Sequence, residues 1–66
     1  MILQAIKSTD GQYLGTVFEL PDPLMNGFKF PVTEDIVFDV EHSKKLPSGD
    51  YMYWNANYVV VAREVG

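Results

Sequence analysis

Residues 51–65, YMYWNANYVVVAREV, form the densest apolar stretch of the chain and carry much of its aromatic content. Aromatic and β-branched side chains suit a pleated, half-buried surface, so 51–54 and 58–64 are predicted to be strands. Asn55-Ala56-Asn57 between them can turn, because Asn tolerates positive φ. A three-residue loop sets Trp54 opposite Tyr58 and Met52 opposite Val60 on one side, with Tyr53 against Val59 and Tyr51 against Val61 on the other. Both faces of this hairpin are apolar. Its second face therefore needs a cover, which a closed small barrel, a sandwich or a subunit interface would supply.

At the other end of the chain, 2–8 and 12–20 flank Thr9-Asp10-Gly11, and Asp-Gly is a strong hairpin signal. Two registers compete. A two-residue loop at Asp10-Gly11 opposes Lys7 to Leu14 and Ile6 to Gly15, mixing polar and apolar residues on each face. A three-residue loop with Gly11 left-handed in a bulge pairs Ile6 with Leu14, Gln4 with Thr16 and Ile2 with Phe18. This second register gathers the largest residues on one face and is preferred; its other face carries Lys7 with Tyr13, Ala5 with Gly15 and Leu3 with Val17.

Pro21 and Pro23 end the second strand, since each lacks a ladder donor and drives the preceding residue to an extended conformation. Asn26-Gly27 is a further turn signal, and Phe28-Lys29-Phe30 puts two aromatics on one side of a short edge piece closed by Pro31. The two rings either cap the core, as a chain this short favours, or remain exposed as a binding surface. Residues 32–46 read two ways. Thr33 as a cap, Glu34 and Asp35 in a first turn, and Lys44 and Lys45 in a last turn would complement a helix dipole. Against this, Ile36, Phe38 and Val40 alternate with Val37, Asp39 and Glu41, and this period of two predicts a strand over 36–41. Residues 42–45 then lead to a turn at Leu46-Pro47-Ser48-Gly49-Asp50.

The sum is an all-β chain, one small domain over residues 1–66 with five or six short antiparallel strands. Such strands form either a bent barrel, SH3-like or Sm-like in shape alone, or an open sheet completed by a second subunit. Ordering 66 residues costs on the order of 100 kcal/mol, so nearly every large apolar side chain must be buried within the monomer or across an interface. Cysteine is absent, which removes disulfide and thiolate chemistry and fits a reducing compartment. A net charge of −4 lacks the basic footprint that neutralises phosphates and argues against nucleic-acid partners. No apolar run approaches a membrane span and no secretory pattern opens the chain, so the expected location is the cytoplasm.

Little in the chain invites catalysis. His42 is the only histidine; on a strand, Asp39 and Glu41 share the outer face while His42 points the other way, which reads as a solvated face rather than an acid–base or metal site. Ser8, Ser43 and Ser48 lack a nucleophile-elbow context, and the scattered glycines make no phosphate cradle. No catalytic residue, metal or cofactor is assigned, and no enzyme is expected. What stands out is the grouping of aromatics with amides at Tyr51, Tyr53, Trp54, Asn55, Asn57 and Tyr58, because such rings anchor interfaces and stack on planar ligands. A plainer reading gives Trp54 and Tyr58 to the core and both Asn to the turn.

With Phe28, Phe30 and Arg63 these six are the candidate binding residues. They point to a non-catalytic binding protein, an adaptor or inhibitor, that meets another protein or a second copy of itself. A short chain opening on its own methionine would suit an accessory protein of a phage or mobile element. The alternative is a homo-oligomer enclosing a planar small molecule such as a nucleotide, with Asn55 or Asn57 reading its ring and Arg63 meeting its phosphates.

Overall fold

The C-terminal hairpin forms, one residue out of the expected register, and that slip decides which side chains are buried. In the computed structural model, which describes residues 1–19, 29–33 and 36–65 (29–33, 36–38 and 40 as backbone only), the two strands are β6 (Tyr51–Trp54) and β7 (Val59–Glu64). They pair Tyr51 with Ala62, Met52 with Val61, Tyr53 with Val60 and Trp54 with Val59. The cause lies in the loop. Asn55 N donates to Tyr58 O at 3.0 Å, so Ala56 and Asn57 alone make the turn. Asn55 Oδ1 accepts from both Asn57 N and Tyr58 N at 2.8 Å. The Asn therefore acts through its side-chain acceptor, and positive φ, the property expected to matter, is confined to glycine among the described residues. A one-residue slip transfers a whole side-chain set to the other face. Tyr51, Tyr53, Val60 and Ala62 become the buried face, and Met52, Trp54, Val59 and Val61 the outer one.

β1 (Ile2–Ser8) lies on the other side of β7, and β2 (Val17–Glu19) beyond β1. β1 pairs with β7 through Leu3–Glu64, Gln4–Arg63 and Ala5–Ala62, then resumes as Lys7–Val61 and Ser8–Val60 after an irregularity at Ile6. Strict alternation would carry Lys7 into the core behind Leu3 and Ala5. The extra residue reverses the phase, so Lys7 turns out and Ser8 takes the inner position.

The N-terminal ladder corrects the preferred register. Ile2 pairs with Glu19, Leu3 with Phe18 and Gln4 with Val17, which is the phase of the two-residue loop set aside above. No tight hairpin closes it, however. Gly11 N donates to Ser8 O, Leu14 N to Gly11 O and Thr16 N to Tyr13 O, a run of turns made possible by φ of 75° at Gly11 and 85° at Gly15. A Cβ at either glycine would meet nothing within 4 Å, so dihedral freedom alone demands glycine there. The turns swing Tyr13 inward, 1 % exposed, and leave Leu14 outside. The sequence reading had put Leu14 with the large residues and Tyr13 opposite Lys7.

β5 (Ser43–Lys45) completes the main sheet in the order β2-β1-β7-β6-β5, antiparallel throughout and open at both edges. The turn expected at 46–50 closes β5 onto β6: Gly49 N donates to Leu46 O, Leu46 N to Asp50 O, and Gly49 takes φ 91°. Both edge strands are three residues long, and β5 carries two lysines, which blunt an edge against further pairing. β3 (Lys29–Thr33) and β4 (Ile36–Asp39) form a separate two-stranded ribbon. The fold class is thus all-β as expected. Its main sheet is open rather than a closed barrel, and seven strands are described where five or six were expected, because 42–45 adds β5. The strand over 36–41 stops at Asp39 in a 3-10 turn, Val40–His42. The strand end at Pro21–Pro23, the Asn26-Gly27 turn and Glu34 and Asp35 lie outside the described residues.

The core sits on one side of the main sheet. Leu3, Ala5, Tyr13, Tyr51, Tyr53, Val60 and Ala62 are its buried apolar residues, with Phe18 and Tyr58 packed against them. Two edge-to-face ring pairs brace the core, Tyr13 of the 9–16 turns with Tyr58 at 5.7 Å and Phe18 of β2 with Tyr53 of β6 at 6.3 Å. Such pairs add about 0.5–1.5 kcal/mol beyond area burial.

Candidate functional site

The other side of the sheet carries what the core does not absorb. Ladder pairings place Lys7, Val61, Met52 and Lys44 in one row across four strands, and Val59 with Trp54 in the next row. In the opposite direction, Val17, Gln4 and Arg63 form a row, followed by Glu19 and Ile2. Val65 joins Ile2, donating its N to Ile2 O at 2.9 Å. Six large apolar side chains are exposed among the described residues, and four of them, Ile2, Val17, Val59 and Val65, stand on this face. Met52, Trp54 and Val61 are half-buried beside them. Singly scattered apolar residues need no explanation; these share one face of the sheet, with the Gln4–Arg63 row crossing between Val59 and Ile2.

An open hollow of about 160 Å³ lies where β1, β6 and β7 converge, lined by Lys7, Ser8, Thr9, Met52, Val59 and Val61. Its rim is held by Thr9, whose N donates to Val59 O at 3.0 Å and whose Oγ1 accepts from Val59 N at 2.9 Å. Ser8 Oγ is buried and has no hydrogen-bond partner among the described residues.

Asp50 and Arg63 provide the strongest polar contact on this face. Arg63 Nε donates to Asp50 Oδ1 at 3.0 Å and Nη2 to Oδ2 at 3.2 Å, while Ser48 Oγ donates to Oδ2 at 3.1 Å. The hydrogen bond from Arg63 holds the Asp50 carboxyl below its ordinary value against the opposing effect of burial, and the carboxylate in turn raises the guanidinium. Asp50 was legible only through the final register: continuing the β6–β7 ladder one step beyond Tyr51–Ala62 sets Asp50 opposite Arg63.

The sequence-derived candidates do not converge on one place. Tyr53 is fully buried and Tyr51 7 % exposed, so both are core rather than the uncovered face first assigned to them. Lys45 Nζ sits 5.7 Å from the Tyr51 ring centre, a cation over the rim of the core. Tyr58 is half-buried against Tyr13. Asn55 and Asn57 serve the turn, as the plainer reading held. Trp54 alone of the four C-terminal aromatics reaches the outer face. Arg63, expected to be available to a phosphate, is engaged by Asp50. Phe28 lies outside the described residues, and Phe30 is described as backbone only. Met52, Val59, Val61, Lys7 and Thr9 were not singled out; the signal for them was the second apolar face of the hairpin, read in the wrong register.

The histidine is also placed differently from expectation. Because the strand ends at Asp39, the chain bends and His42 Nδ1 comes 2.8 Å from Asp39 Oδ1, which also accepts from Glu41 N at 3.1 Å. The imidazole meets the Trp54 ring edge-on at 6.2 Å. His42 is exposed and Asp39 half-buried, and the carboxylate caps the 3-10 turn, so the contact orders the corner after β4. No group of three or more potential metal ligands occurs among the described residues. No helix among them is long and apolar enough to cross a membrane.

Comparison with protein-family models, with curated proteins and with solved structures gives no match for this chain.

Proposed function

We propose that this chain is a non-catalytic binding protein, an adaptor or inhibitor, that acts through protein–protein contacts made by the outer face of its sheet. The observation that carries the reading is the alignment of Ile2, Val17, Val59 and Val65 on the face opposite the core. Half-buried Met52 and Val61 floor a hollow beside them, suited to one apolar side chain of a partner, since anchors seated in pockets dominate interface energetics. Lys7 and Lys44 flank this apolar stretch and supply a polar rim. The absence of cysteine suits a reducing compartment such as the cytoplasm.

The planar-ligand reading draws less support. Among the described residues the hollow has no aromatic ring in its lining, and Tyr51 and Tyr53, which might have stacked on a ligand, are spent on the core.

A photoreactive residue placed at Val59 tests the proposal, with Gln12 on the N-terminal loop as the control position. Protein adducts formed on irradiation should concentrate at position 59. Equal labelling from both positions, or none from either, would remove the outer face as the binding surface.

A further inference from the structure

We infer that the occupant of the outer face is a second copy of this chain, so that two sheets pack face to face in a symmetric dimer; this rests on the reading of that face as a protein-binding surface and names its partner. The charge distribution is the first support. The chain carries −4 overall, so two copies repel unless their carboxylates are kept from the contact. Of the described acids, Asp10 is on a loop, Asp39 and Glu41 are at the 3-10 turn, and Glu64 pairs with Leu3 on the core side. Among the described residues the outer face holds Glu19 and Asp50 beside Lys7, Lys44 and Arg63, with Asp50 and Arg63 paired to each other. With three basic side chains against two acidic ones among the described residues, the face stands within one charge of neutral on a chain of −4, and such a face meets another of its kind with little repulsion. A strongly acidic or basic foreign partner would be matched by an excess of one sign.

Size is the second support. The body measures 24 × 23 × 21 Å and exposes 4118 Å². Each of six near-equal sides therefore offers about 700 Å², and two such sides removed together bury roughly 1,400 Å², within the range of stable, specific interfaces. Face-to-face stacking of antiparallel sheets about 10 Å apart is also the standard way for a sheet to bury a second apolar face. The surface is the same on both partners, as a two-fold interface requires.

Sedimentation velocity on the whole chain, from low micromolar to submillimolar concentration, tests this directly. The wild type should reach a species of twice the 7.5 kDa chain mass. Val59→Glu and, independently, the fully surface-borne change Lys7→Glu should each weaken dimerisation by about tenfold or more, while Gln12→Glu, the same charge change off the face, should leave it unaltered. Near-UV circular dichroism confirms that each variant is folded. A chain that stays monomeric throughout overturns the inference, as does a dimer that neither variant weakens. A monomer whose position-59 photoprobe still captures a foreign protein overturns the second copy while leaving the outer face as the binding surface; a monomer with no adduct removes both.

Discussion

Asp50 and Arg63 form a two-point ion pair one step beyond the β6–β7 ladder, with contacts of 3.0 and 3.2 Å. The carboxylate is nearly enclosed, the guanidinium is mostly exposed, and the pair locks the turn after β5 to the end of β7.

Acid should weaken the fold through this pair. A carboxyl held below its ordinary value of 3.8 contributes stability that is present in full above that value and is lost as pH falls through the lower folded value. Arg63, raised from an already high value, stays charged throughout and adds no dependence in this range. Asp50→Asn should therefore melt at lower temperature than the wild type at neutral pH, and the gap should close as pH drops below the ordinary carboxylate range. Melting curves recorded across the acid range check this, and a gap that persists unchanged would show that the charge of Asp50 is immaterial.

Tyr53 is a core residue, so its truncation should cost the fold and not only a contact. Tyr53→Ala removes a fully buried ring that packs edge-on against Phe18, and losses of about 3–5 kcal/mol are usual for such changes. Urea unfolding measures it. A loss below about 1 kcal/mol, the level of a surface substitution, would mean that the ring is not packed in the core.

Ser8→Ala should be neutral or stabilising. The bulge at Ile6 turns Ser8 inward, where its Oγ is buried without a described partner, and an unsatisfied buried hydroxyl costs about 1–3 kcal/mol. Destabilisation by more than about 1 kcal/mol in the same urea assay would instead reveal a bond made by that hydroxyl.

Asn55 should be irreplaceable by residues without a side-chain acceptor. Its Oδ1 receives two backbone N–H groups, so Asn55→Ala should cost about 1–2 kcal/mol, while Asn55→Asp keeps the acceptor and most of the stability. Equal losses from both variants would argue against the acceptor role.

Most strands could be read from the sequence because they rest on local pattern, although 12–15 turns where a strand was expected and Ser43–Lys45 is a strand where only the approach to a turn was. Alternation in 36–40, aromatic and β-branched content in 51–54 and 59–64, and Pro47 with Gly49 in the 46–50 turn each act within a few residues. Register and face were not legible in the same way. At the C-terminal hairpin they depended on whether Asn55 turns the chain by its φ or by its Oδ1, a choice that changes loop length by one residue and exchanges Tyr53 for Met52 on the inner face. In β1 they depended on a bulge that composition does not announce, and in 9–16 on two glycines that admit Tyr13 to the core. The candidate site followed these choices. The second apolar face of the hairpin was visible in the sequence with Val59 and Val61 on it, but Met52 and Trp54 stand there in place of Tyr51 and Tyr53.

One interproton contact therefore tests the assignment of faces most directly. The Asn55 N to Tyr58 O bond makes that couple a hydrogen-bonded pair, and alternation then places Met52 and Val61 at a non-hydrogen-bonded position, where Cα atoms approach to about 4.5 Å. A strong nuclear Overhauser effect between the Hα protons of Met52 and Val61 is the predicted result. Such a contact between Tyr53 and Val59 in its place, the non-hydrogen-bonded couple of a three-residue loop, would put the tyrosines outside, return Met52 to the core, and contradict the binding face proposed for this chain.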